Sequence, residues 1–193
     1  MTFSQKNATV IADGKISNNC YDFNGSSSRI YGDTVLPNSI SNTISIACWA
    51  KIDSTATANG YLCGLSKNNA NFMMCYYYSS TSQIMRIYYA GSSRTTFNLD
   101  GYMDAWHHYA CVSTGEKLLF YIDGELKKEV TYAGAALGED NHFCIGSRNG
   151  GSVGTGSIYF KGQINDARFY DHALSEKEVE ELAKGLILHY KLD

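Results

Sequence analysis

One segment, TISIACWAKI at Thr43–Ile52, does most to limit what this chain can fold into. Ile44, Ile46, Cys48, Ala50 and Ile52 alternate with Ser45, Ala47, Trp49 and Lys51. A period of two is that of a β-strand with one face turned to a core. Similar runs follow along the chain. FMMCYYY at 72–78 and IMRIYYA at 84–90 are separated by a polar STS and predict a hairpin. WHHYACVS at 106–113 and KLLFYI at 117–122 flank Thr114-Gly115-Glu116, a second hairpin signal. Asp123-Gly124 then joins 117–122 to ELKKEVTY at 125–132, a dipeptide suited to a two-residue turn with positive φ. HFCIGS at 142–147 and 157–170 predict two more strands around the loop 148–156, whose four glycines place it at the surface.

One helix is predicted, over 175–184. Ser175 with Glu178 forms a capping box, Leu174 can pack on Val179 as a hydrophobic staple, and Gly185 can close the helix. Many strands at short spacing with one short helix predict an all-β, antiparallel sandwich. At 193 residues the chain is long enough for one domain with a sizeable core. The run at 185–193 (GLILHYKLD) alternates again and predicts a terminal strand.

Composition excludes several classes. A net charge of −3 argues against a nucleic-acid partner, which needs a concentrated basic face. No apolar run is long enough for a membrane span, and the first residues lack the apolar stretch of a signal peptide. The six cysteines, Cys20, Cys48, Cys63, Cys75, Cys111 and Cys144, show no C-x-x-C spacing. Their even number permits a disulfide framework, but a chain this long does not need one. They read as buried free thiols filling apolar space.

Four segments, in order, resemble the laminin-G-like, concanavalin A-like jelly-roll family. CYDFNGSSSRI at 20–30 resembles its F-D-G-x-x-x-x-I opening, and ISIACWAKI at 44–52 its T-I-S-A-W-V-K strand. WHHYACV at 106–112 with LFYIDG at 119–124 resembles W-H-H-V-A … L-Y-V-D-G. FKGQINDARFYDHALSEKEV at 160–179 resembles F-x-G-x-I-D-E-V-R-I-Y-x-R-A-L-S-x-E-E-I. The resemblance implies a two-sheet jelly roll, of the type found in bacterial surface and phage tail or fibre proteins. It implies either a module that binds glycan or another surface ligand, or a structural and assembly module, or a degenerate hydrolase domain. The corresponding location is a virion or a cell surface, and six reduced thiols suit assembly in a reducing cytoplasm.

In the family, a phrase like that at 185–193 opens the domain. Here it either belongs to a following repeat or folds back to complete the sheet, and an unpaired apolar edge favours the second.

Candidate site residues follow. Sugar recognition needs an aromatic platform with a few placed polar groups. Tyr76, Tyr78 and Tyr88 of the central hairpin, with Arg148 and Asn149 of the glycine-rich loop, are the ligand-binding candidates; the alternative is that the tyrosines cover the core. The loop 53–60 would rim the same cleft. The resemblance also implies a structural Ca²⁺, and Asn24 and Asn165 stand where the family places its aspartates. Asn offers an amide oxygen but no charge. Trp106 reads as a core or rim aromatic, and Arg168 as a bridge between strands. His107 and His108 fall on opposite faces of one strand and cannot share a metal from there. No E-x-D-x-x-E run supplies a glycosidase pair. Glu125 and Glu129 would share a strand face about 13 Å apart, too far for either hydrolytic geometry. The chain is expected to be non-catalytic.

Overall fold

The computed structural model describes residues 3–16, 19–32, 42–66, 70–79, 82–90, 92–132, 137, 141–149 and 156–185. The strands are β1 (Phe3–Lys6), β2 (Thr9–Ile11), β3 (Cys20–Asn24), β4 (Arg29–Gly32), β5 (Thr43–Ile52), β6 (Gly60–Ser66), β7 (Ala70–Ser79) and β8 (Ser82–Tyr89). They continue with β9 (Ser92–Asn98), β10 (Trp106–Thr114), β11 (Lys117–Ile122), β12 (Glu125–Thr131), β13 (His142–Ile145), β14 (Arg148–Asn149), β15 (Gly156–Ser157) and β16 (Lys161–Tyr170). One helix, α1 (Glu176–Ala183), follows.

Two seven-stranded antiparallel sheets face each other. Sheet I runs β1-β4-β13-β6-β7-β8-β9, and sheet II runs β12-β11-β10-β5-β16-β3-β2. Late strands insert between early ones: β13 lies between β4 and β6, and β16 between β5 and β3. This is the expected jelly-roll sandwich. The core between the sheets holds Phe23, Phe72, Tyr89, Tyr109, Phe120 and Phe160, all fully buried.

The predicted strands at 43–52 and 117–122 have those bounds, and the turn after β11 has positive φ at both Asp123 (53°) and Gly124 (85°). That conformation matches the twist of a tight hairpin. The strand expected from residue 157 starts at Lys161 instead. Ile158 takes a φ of 57°, and the Phe160 N–H donates to the Gly146 carbonyl at 2.8 Å. Six strands carry too little alternation to be read, β1, β2, β3, β4, β6 and β9, and the short β14–β15 pair forms at the ends of the segment expected to be a loop. In β6 the pairing with β7 shifts between Tyr61 and Cys63, which breaks the period of two. In β9 (SSRTTFN) Phe97 is the one large apolar residue.

β5 departs from its expected pattern in one respect. Its outward residues Ala47 and Trp49 are buried as fully as its inward ones. Ala47 packs with Ala110, Val112, Tyr121, Leu174 and Val179 in a second apolar cluster outside sheet II. Helix α1 forms that cover. Its capping box is present, and Leu174 and Val179 meet in the same cluster as the staple expects. Ser45 ties the approach to the helix, because its Oγ donates to the His172 carbonyl and accepts the Leu174 N–H, both at 2.9 Å. Gly185 follows with a φ of 72°. Residues 186–193, on which the terminal strand was expected, lie outside the described residues.

Cys20, Cys48, Cys63, Cys111 and Cys144 are free and buried. Cys48 makes a side-chain hydrogen bond with Cys63 from the other sheet, which with burial holds its thiol well above the usual range. Burial does the same for Cys111. These thiols behave as core filler.

Gly146 is where the sheets come closest to conflict. It has a φ of 75°, and a Cβ there would lie 2.1 Å from the ring of Phe23, which is 1% exposed. Gly146→Ala is expected to cost about 3 kcal/mol or more, combining a forbidden φ with an overpacked core. A thermal melt checks it; an unchanged melting temperature would refute this account of the contact.

Candidate functional site

The outer face of sheet I carries one group of aromatic side chains with polar neighbours. Tyr61 of β6 and Tyr88 of β8 lie with ring centroids 5.9 Å apart at 38°, clustered with Cys144 and Ile158. Tyr88 reaches this face because Met85, Ile87 and Tyr89 alternate with it and fill the core. Arg86, two residues away, donates from Nη1 to the Tyr88 hydroxyl at 3.4 Å. Arg148 of β14 donates from Nε to Ser157 Oγ at 3.3 Å, across the small β14–β15 pair. Ser157 precedes Ile158, so this hairpin runs onto the Tyr61–Tyr88 pair. Across the sheet, Arg29 lies over the Tyr31 ring at 5.8 Å and donates from Nη1 to the Tyr159 hydroxyl at 3.2 Å.

The structure therefore brings Tyr88 and Arg148 to one face. Asn149 follows Arg148 on β14, opposite Gly156. Tyr76 and Tyr78 lie on β7 opposite Met85 and Gln83; their side chains are outside the described residues. Tyr61, Arg86, Arg29, Tyr31 and Tyr159 escape a sequence reading. The alternation of β8 points to Arg86, whereas Tyr61 sits on an irregular strand that leaves no such mark.

Two clefts open elsewhere, each of about 560 Å³. One is polar, lined by Asp22, Asn24, Lys51, Asp53, Asp104 and Gln163 among others. Asp53, from the loop 53–60, is ion-paired to Lys161 at 3.2 Å. Burial opposes ionisation of Asp53, but hydrogen bonds from Thr55 and Lys161 outweigh it and hold the carboxyl below its usual range. Gln163 Oε1 has no hydrogen-bond partner among the described residues. The other cleft is apolar, at the sandwich mouth, lined by Val10, Tyr21, Phe23, Ile30, Phe169 and Asn165 among others.

The two asparagines thus belong to different clefts. Asn24 Oδ1 accepts the backbone N–H groups of Ser26, Ser27 and Ser28 at 2.9, 2.9 and 3.2 Å. Asn165 Oδ1 accepts the Ile16 N–H at 3.1 Å, while its Nδ2 donates to the Asn19 carbonyl at 2.7 Å. Asn24 pairs opposite Lys161, four residues from Asn165 along β16, or about 13 Å. The pair does not fit one Ca²⁺. Among the described residues no group of three His, Cys, Asp or Glu side chains converges as a metal site.

Other expectations change in detail. Glu125 stands opposite Ile122 and Glu129 opposite Leu119, because the pairing of β12 slips at a bulge beside Phe120 and Tyr121. Three positions separate Leu119 from Ile122, so the two carboxylates point to opposite faces rather than sharing one. Lys127 and Lys117 hold them at 2.5 and 2.7 Å. Arg168, expected to bridge strands, bonds within its own: its Nε donates to Asp166 Oδ1 at 2.9 Å. Asp123 does more than shape a turn, since its carboxylate accepts the His108 N–H at 2.9 Å and meets His107 Nδ1 at 2.6 Å. His107 packs on Tyr102 and His108 on Trp49, on opposite faces as expected, and Trp106 is half-buried at the rim.

With this geometry in view, the family assignment is direct. A sequence model described as the concanavalin A-like lectin/glucanases superfamily, of laminin G type, matches residues 23–180. The chain belongs to that family. Among curated proteins none matches it in sequence. Solved structures share its fold. A heptameric SAP-like pentraxin from Limulus polyphemus is 17% identical at a TM-score of 0.68, over 84% of this chain and 80% of its own. Domain 4 of an extracellular arabinanase from Geobacillus stearothermophilus, in complex with arabinotriose, is 22% identical at 0.62, over 94% and 87%. The ligand binding domain of botulinum neurotoxin serotype D, in complex with N-acetylneuraminic acid, is 14% identical at 0.71, over 97% of this chain and 46% of its own. The fold is thus that of lectin-like binding domains. Among the described residues no helix is long and apolar enough to cross a membrane.

Two tests follow from the local chemistry. Asn24→Ala removes the acceptor of three backbone N–H groups and is expected to cost about 1–2 kcal/mol, read from denaturant unfolding. Asn24→Asp, which keeps an acceptor, is expected to leave any Ca²⁺ dependence of the melting temperature as it is in the parent. His108 is 2% exposed, and burial lowers its pKa from 6.5 to about 4, against the opposing pull of Asp123 and Asp166. The unfolded chain takes up this proton near pH 6.5 and the folded chain only near 4. The stability tied to neutral His108 is therefore complete above about pH 6.5 and is lost as pH falls toward 4, by about 3 kcal/mol. His108→Phe should flatten that part of the stability–pH curve; an identical acid slope in the variant would refute it.

Proposed function

We propose that this chain is a non-catalytic binding module that holds a carbohydrate on the outer face of sheet I, within a phage tail or fibre or a bacterial surface protein. The observation that carries this reading is the half-exposed ring of Tyr88, backed by the buried Tyr61 and bordered by Arg86 and the Arg148 hairpin. It has the make-up of a sugar subsite: an aromatic surface, with a few donors placed around it. Support comes from the two fold neighbours determined with sugars. Support for a non-catalytic role comes from Glu125 and Glu129, which occupy opposite faces and are each held by a lysine. Buried reduced thiols suit a particle component assembled in a reducing cytoplasm before reaching a surface.

A second reading, a purely structural assembly module, draws on Val10 and Tyr21. They pair across β2 and β3 and are 49% and 36% exposed, an apolar step at the edge of sheet II.

A glycan array separates the two. Reproducible hits are expected, weakened about tenfold (~1.4 kcal/mol) by Tyr88→Ala with little change in melting temperature. An array without hits, or hits that Tyr88→Ala leaves intact, would count against the sugar site and for the assembly reading.

A further inference from the structure

We infer that the polar cleft on the outer face of sheet II is a second binding site, built for a neutral, hydroxyl-rich ligand of the size of a short oligosaccharide. It does not rest on the sheet I reading above, since it lies on the other side of the sandwich. Its frame is a row of four side chains across the sheet. Asp22 of β3 stands directly opposite Gln163 of β16, Gln163 opposite Lys51 of β5, and Lys51 opposite Trp106 of β10. Residues paired in this way point to one side of a sheet. That side is the outer one. Lys51 alternates with the core residues Ala50 and Ile52, and it shares its face with Ala47, which packs outside the sheet. Adjacent strands lie about 4.8 Å apart, so the row runs about 14 Å from Asp22 to Trp106. Helix α1 covers the other end of the same strands, over Ala47, Ala110 and Val112, and none of the four residues of the row is buried. Asp104, two residues before Trp106, lines the cleft together with Asp22, Gln163 and Lys51.

The chemistry of the row selects its ligand. Among the described residues Asp22 has no hydrogen-bond or ion-pair partner. Asp104 engages only Oδ1, which accepts the Ser54 N–H at 2.8 Å. Lys51 meets Asp13 at 3.4 Å, in a pair that is itself solvent-exposed and therefore weak. Gln163 Oε1 is enclosed, which leaves its amide N–H groups as the part turned to the cleft. Carboxylates that can only accept thus stand beside an amide and an ammonium that donate. A sugar hydroxyl does both, so it can bridge an acid and a donor that are neighbours in the row. Trp106, half-buried at the end of the row, adds an apolar face for a sugar ring. The cleft, of about 560 Å³, has the volume of a small-ligand site.

Other ligand classes fit less well. An anion would face Asp22 and Asp104. A cation would face Lys51, and among the described residues no three His, Cys, Asp or Glu side chains converge to hold a metal ion. Strands β5 and β16 are central in the sheet, so an extended peptide finds no free edge to pair with there.

The test is a fluorescence titration. The chain has two tryptophans, Trp49 and Trp106, and both lie on this face of sheet II. Tryptophan emission therefore reports on the cleft and not on the tyrosine face of sheet I. The neutral probes are arabinotriose, maltotriose and cellotriose; trigalacturonate and pentalysine are the charged ones. At least one neutral trisaccharide is expected to change the emission saturably below about 10 mM. Asp22→Ala and Lys51→Ala should each weaken that binding about tenfold, whereas Lys177→Gln on α1 should leave it unaltered. Thermal melts establish which variants are folded, and either cleft variant decides by itself. No saturable response to any neutral probe would overturn the inference. So would equal or tighter binding of trigalacturonate or pentalysine, or a response that the folded cleft variants leave intact. Array hits weakened by Tyr88→Ala without a tryptophan response would overturn the cleft and spare the sheet I site; a tryptophan response without such hits would do the reverse.

Discussion

Strands β5 and β10 are buried on both faces, and that double burial is completed by chain far away in sequence. Their inner residues meet sheet I, and their outer residues Ala47, Ala110 and Val112 take a second cover from the segment around His172–Ala183. Burial of these side chains is worth roughly 1.5–3 kcal/mol for each large aliphatic or aromatic one. An uncovered sheet II would instead present an apolar plate to water. The capped helix, the Ser45 tie and the edge of the sandwich therefore belong to one packing arrangement. β16 enters the same arrangement as the partner of both β5 and β3, so the sheet closes only after the chain is nearly complete.

β8, with a core side and a solvent side, left a period of two in the sequence and was legible, while β10 and β11 were legible also from the Gly115 and Asp123-Gly124 turns that bound them. β5 was legible as a strand but not as one buried twice, because Ala47 and Trp49 differ little from ordinary outward residues. β6 was not legible, since its bulge places Leu62 and Cys63 in the core as neighbours and erases the alternation. The same physics reversed the reading of Glu125 and Glu129, where one extra residue in β12 turned a shared face into two. The capping box of α1 was readable because its partners lie three residues apart. Register between distant strands had no such local signature, and with it went the neighbours of each candidate site residue.

The candidate sugar face illustrates this division. Tyr88 and Arg148 could be named from residue type, yet what joins them is Ile158, carried by a two-residue hairpin onto a tyrosine from an unrecognised strand. The calcium expectation moved in the opposite direction. Asn24 and Asn165 occupy family positions, but their amide oxygens close backbone loops at separate ends of the β3–β16 ladder. An amide that binds three N–H groups is a structural part in its own right, and replacing a charged residue by a neutral one is what such a part permits.

Helix α1 carries Glu176, Glu178, Glu180 and Glu181 against the single Lys177, so the cover over sheet II presents a local patch of negative charge. Within about one Debye length, roughly 10 Å at moderate salt, a polyanionic layer would push that patch away before any contact is made. A module approaching such a layer would then arrive with its helix turned outward.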